Sequence, residues 1–65
     1  MTDELDIWRA AKLLVDRHGS EAAMHAAMRA DELLNEGDVH GQRIWLRIVK
    51  TIDELQRTRG DDPLH

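Results

Sequence analysis

Apolar side chains recur every three or four positions along most of the chain, and no stretch alternates apolar with polar residues as a half-buried strand would. Over residues 3–18, Ile7, Trp8, Ala11, Leu14, Val15 and His18 fall on one face of a helix. Over 21–36 the stripe is Ala22, Ala23, Ala26, Ala27, Ala30, Leu33 and Leu34, and over 39–58 it is Ile44, Trp45, Ile48, Val49, Ile52 and Leu55. The punctuation agrees with three helices. Gly19, Gly37 and Gly60 read as stops, whereas Thr2 before Asp3 and Glu4, Ser20 before Glu21, and Asp38 read as N-caps. Very short connections place successive helices side by side. The expected fold class is therefore all-α, an antiparallel three-helix bundle forming one domain over 1–60, with a flexible C-terminal tail over 61–65.

The stretch "AAMHAAMRA", residues 22–30, places five alanines on the inner stripe of the second helix and turns Met24 and Met28 away from it. Counting along the hairpins brings both Trp8 and Trp45 level with the neighbourhood of Ala30. Large rings in a thin core need small residues opposite, so Ala26, Ala27 and Ala30 are expected to form a recess for the two indoles. Gly41 is expected to face Leu34 and let the second and third helices close up.

A chain of 65 residues buries a small fraction of its surface, and with no cysteine no disulfide can staple it. Stability has to come from packing or from a partner. No apolar run approaches the ~20 residues needed to span a bilayer, and the N-terminus "MTDELDIW" is acidic where a secretion signal would be basic, so the expected setting is cytoplasmic, with no membrane partner. The net charge of −4 argues against wholesale binding to nucleic acid. It is unevenly spread, however: residues 1–37 hold four Lys/Arg against eight Asp/Glu, and residues 38–60 hold five against three.

Candidate chemistry is sparse. Four histidines are present, but His25 lies off the core stripe, His18 and His40 belong to opposite ends of the expected bundle, and no cysteine or second paired histidine completes a tetrahedral metal set. Ser20 reads as a cap, Thr51 lies beside a core stripe, and the carboxylates are scattered over outer faces, so neither a nucleophile beside a base nor a carboxylate pair across a cleft is indicated. No catalytic residue, metal or cofactor is expected, and the chain reads as a non-enzyme. Arg59-Gly60-Asp61 spells an adhesion tripeptide, which has no meaning without export. The basic stripe of the third helix, Arg43, Arg47, Lys50 and Arg57, is the one arrangement that suits phosphate contacts, against which Glu54 and Asp53 stand as internal partners.

The remaining signal is an apolar surplus. Leu5, Leu13, Met24, Met28, Val39 and Leu46 all fall off the three core stripes. Met24 and Met28 form a patch one helical turn apart, of a residue type suited to adaptable contacts. The expectation is a protein–protein interaction module of unidentified role with Met24, Met28, Leu13 and Leu46 as candidate interface residues. It would pair as a homodimer, or with another protein, through the outer face of the second helix. The alternative is a nucleic-acid-binding domain using Arg43, Arg47, Lys50 and Arg57.

The spacing of Trp8, Ala11, Leu14, His18, Gly19, Ala22, Ala27, Arg29, Ala30, Asp31, Leu33, Gly37, Asp38, Gly41, Trp45, Ile48, Ile52, Glu54 and Leu55 is similar to that of a family of small bacterial helical proteins of unknown function. The resemblance covers nearly the whole chain. It implies a compact helical fold and a cytoplasmic bacterial setting, and implies no activity. Most of these residues are core positions, caps or stops, whereas Arg29 and Asp31 are polar residues outside the stripe. A fainter likeness, from "AMRADELLNEGD" to Trp45, is to the helix hairpin of tetratricopeptide repeats, which suggests protein binding; no internal repeat accompanies it.

Overall fold

The computed structural model describes residues 3–60, with side chains through residue 57. The protein is all-α. Helix α1 spans Glu4–His18, a single 3-10 turn follows at Gly19–Glu21, α2 spans Ala22–Asn35 and α3 spans Val39–Gly60. The expected tail over 61–65, with the end of the Arg59-Gly60-Asp61 triplet, and the cap expected from Thr2 lie outside the described residues.

The helix ends follow local chemistry. Asp3 caps α1, its carboxylate accepting the Asp6 N–H at 3.0 Å. Gly19, at φ 59°, ends that helix in a backbone conformation that side chains disfavour. Gly37 plays the same part for α2 at φ 83°: its N–H donates to the Leu34 carbonyl, and that of Asp38 to the Leu33 carbonyl, the paired bonds of a Schellman motif. Asp38 then opens α3, with its carboxylate accepting the Gly41 N–H at 2.8 Å.

Three details depart from expectation here. Ser20 does not cap α2; it sits exposed inside the 3-10 turn, and the first residues of α2 have no side-chain cap. Helix α3 continues to Gly60, two residues past the expected end at 58. At Gly41 the nearest neighbour is the α3 cap rather than the expected Leu34. A Cβ built on it would come within 2.6 Å of the Asp38 carboxylate, so the missing side chain makes room for the cap.

With 22 residues, α3 is about 33 Å long, and both shorter helices pack along it, α2 more extensively than α1; contact between α1 and α2 is slight. The buried core consists of Ile7, Ala11 and Val15 of α1, Ala22, Ala26, Ala30 and Leu33 of α2, and Ile48 and Ile52 of α3. The alanines do line the inner face of α2, where Ala22, Ala26 and Ala30 recur at one-turn spacing and let that helix lie close to its neighbours.

They do not hold two indoles. Trp8 is 44% exposed and Trp45 is half-buried at the core's edge. The buried line of α1 runs through Ile7, Ala11 and Val15, and Trp8 stands one residue round from Ile7, on the flank. There the Lys12 ammonium, one turn on, lies 5.9 Å from its ring centroid. Leu34, expected on the inner stripe, is 48% exposed, because Leu33 takes the inward position at that end of α2.

Candidate interaction surfaces

Among the described residues no polar or charged side chain is buried, and no group of three or more His, Asp or Glu side chains is placed to hold a metal ion. The structure nevertheless brings together two histidines that the sequence separates. His18, at the end of α1, and His25, in the second turn of α2, stack with ring centroids 3.9 Å apart and planes 22° from parallel. Their link is the 3-10 turn, which reverses the chain over three residues. Stacked rings direct their in-plane nitrogen lone pairs sideways, so the two do not converge on a common ion. Glu21 approaches the His25 Nε2 at 4.0 Å. His40 is exposed in the first turn of α3.

A half-open groove of about 420 Å³ lies between α1 and α3, lined by Glu4, Ile7, Trp8, Arg47, Lys50, Thr51 and Glu54. Arg47 reaches across it to Glu4 at 3.7 Å, and the Thr51 hydroxyl donates to the Arg47 carbonyl oxygen. Two cations and two carboxylates line the same walls, so the groove has no strong preference for charge of either sign.

The basic residues of α3, Arg43, Arg47, Lys50 and Arg57, are all exposed as expected. Two of them are engaged within the chain: Arg47 with Glu4, and Arg57 with Asp53 one turn earlier, the internal pair that the sequence suggested. Arg29, unexplained in the sequence, pairs with Glu32 at 3.2 Å. Asp31 is exposed on the outer side of α2.

The apolar residues form the more distinctive pattern. Leu5, Trp8, Leu13, Met24, Met28, Leu34, Val39 and Leu46 are all large and exposed. Two contacts orient the helices: the His18–His25 stack shows which side of α2 looks toward α1, and the groove walls Arg47 and Thr51 show the corresponding side of α3. At 100° per residue, Ala23, Ala27 and Leu34 lie on the opposite side of α2, and Val49 on the opposite side of α3 with Leu46 beside it.

The α2–α3 pair thus carries α1 against one side and presents the other side open. Met24 borders that open face along α2 and Leu46 borders it along α3, 53% and 45% exposed, whereas Met28, 53% exposed, lies on the outer side of α2 nearer the flank that carries His25. Leu13, also expected at the interface, does not join them, since it stands on the far side of α1 from the buried Ala11. Leu34 and Val49 were not foreseen as part of this surface. Leu34 matched the inner stripe, and only the position of α1 reveals which side of the hairpin stays uncovered. No helix among the described residues is long and apolar enough to cross a membrane. No protein-family model, curated protein or solved structure matches the chain.

Proposed function

We propose that the protein is a non-enzymatic interaction module, an antiparallel three-helix bundle that self-associates through the open face of its α2–α3 hairpin and the adjoining outer side of α2. The observation that carries this reading is an imbalance. The large buried side chains are Ile7, Val15, Leu33, Ile48 and Ile52, and against these five stand eight large apolar residues in solvent. Single exposed apolar residues are ordinary, but Met24, Leu34 and Leu46 fall on or beside one face of a chain whose own core is small, and Met28 lies on the adjoining outer side of α2. Pairing two such faces removes them from water and stabilises the folded state by mass action.

The test is the dependence of the melting temperature on protein concentration, for the unmodified chain and for Met24→Glu with Met28→Glu. The unmodified chain should melt higher as its concentration rises, and the double variant should lose that dependence while remaining helical at low temperature. A melting temperature that is the same at every concentration, and the same in the variant, identifies the methionines as ordinary exposed surface.

A further inference from the structure

We infer that Met24, His25 and Met28 form a binding site for a soft monovalent cation of the Cu(I) kind on the outer side of α2, with the Glu21 carboxylate beside it as counter-charge. The site does not depend on the self-association proposed above.

Residues 21–28 set Glu21, Met24, His25 and Met28 on one side of the chain's second helical segment. At 100° per residue, Met28 has Met24 about 40° round on one side and His25 about 60° round on the other, with Glu21 between Met28 and His25. Residues three and four apart are neighbours on a helix surface, and a long side chain leans over the turn before its own. Met28 is thus directed to the turn that holds Met24 and His25. Both methionines are 53% exposed. The structure also orients the imidazole. The stack on His18 sets its plane, and Nε2 approaches Glu21, which turns it toward the methionine side of the helix. At 4.0 Å from the carboxylate oxygen it is too far for a hydrogen bond, and with the proton on Nδ1 it presents its lone pair there.

The donor set decides the ion. Thioether sulfur is uncharged and polarisable, and together with one imidazole it suits Cu(I). Calcium and magnesium take oxygen ligands, and zinc takes thiolates, imidazoles and carboxylates. The chain has no cysteine, so its methionines are its only sulfur donors. A single carboxylate, Glu21, balances a single positive charge. Exposed apolar surface alone does not call for methionine, since leucine is as good a helix former. Two thioethers one turn apart, next to an oriented imidazole, offer what leucine lacks.

The experiment uses the whole chain without oxygen. Cu(I) is titrated in competition with the chelator bicinchoninate, and Ag(I), a redox-stable ion of the same kind, is followed by proton–carbon NMR of the methionine ε-methyl groups. One Cu(I) should bind per chain, and Ag(I) should move the Met24 and Met28 signals while leaving that of Met1 in place. Met24→Leu, Met28→Leu and His25→Gln should each weaken binding at least about ten-fold, a loss typical even of a group one step removed from a metal. Zn(II) should leave the methyl signals where they are. The leucine changes keep both side chains apolar, so circular dichroism should show the same helices and any dependence of melting temperature on concentration should persist. Loss of metal affinity with that dependence intact separates this site from self-association. Binding that survives the combined Met24→Leu and Met28→Leu changes places the ion elsewhere and overturns the inference. Cu(I) that stays wholly with the chelator, or Zn(II) that moves the same methyl signals, overturns it too, and none of these results touches the self-association reading.

Discussion

The side-chain amide of Gln56 donates to the carbonyl oxygen of Gly19 across 2.5 Å, tying α3 to the turn between α1 and α2. Residues 37 apart in sequence are joined there. The 3-10 turn it anchors has no side-chain cap of its own, and Val15, Gly19, Ser20 and Gln56 together line a hollow of about 310 Å³ at that end of the protein. The bond holds the first turn of α2 in place relative to α3.

Replacing Gln56 with leucine keeps much of the bulk and removes the donor. The variant should lose about 1 kcal/mol of stability, the net worth of one such hydrogen bond, read from the midpoint of urea denaturation. An unchanged midpoint would mean that the turn is held by helix packing alone.

Trp8 stands on the flank of α1 with Lys12 over its ring, so its removal empties no core cavity. Trp8→Ala should cost about 1 kcal/mol, well short of the roughly 3–5 kcal/mol typical of a fully buried aromatic residue. A larger loss would show that the indole carries core packing after all.

The course of Trp8 also shows where the sequence stops being informative. The three helices, their boundaries to within about two residues, the Gly19 and Gly37 stops and the Asp38 cap all follow from short-range chemistry that a linear pattern contains. Which flank of each stripe is covered depends on how the helices lie against one another. Trp8 and Leu34 both match an apolar stripe by spacing, yet both sit on its edge, and a stripe wide enough to include them is wider than the neighbouring helices cover. The His18–His25 stack escapes for a similar reason. It depends on a 3-10 turn where a simple capped start by Ser20 was the natural reading. For the candidate surface, Met24, Met28 and Leu46 were legible as residues off the stripes. The residues that join Met24 and Leu46 into one face, Leu34 and Val49, become visible only once α1 is seen against the other side of the hairpin.

Asp38 satisfies the start of the longest helix, and Gly41 leaves room for its carboxylate. Asp38→Ala should cost about 1 kcal/mol. Hydrogen exchange at the first turn of α3 should rise with it, and in Asp38→Asn, which retains the acceptor oxygen, most of the loss should be recovered. Equal losses in the two variants would argue against a capping role.

The central claim is that the open face of the α2–α3 hairpin, with Met24, Leu34 and Leu46 on or beside it and Met28 on the adjoining outer side of α2, pairs with a second copy of itself. Sedimentation equilibrium of the unmodified chain from micromolar to millimolar concentration measures this most directly. The account predicts a mass that rises with concentration from one chain to two and goes no further, as a closed two-fold pairing requires. A mass that stays at one chain throughout the range, or that climbs without limit, would contradict it.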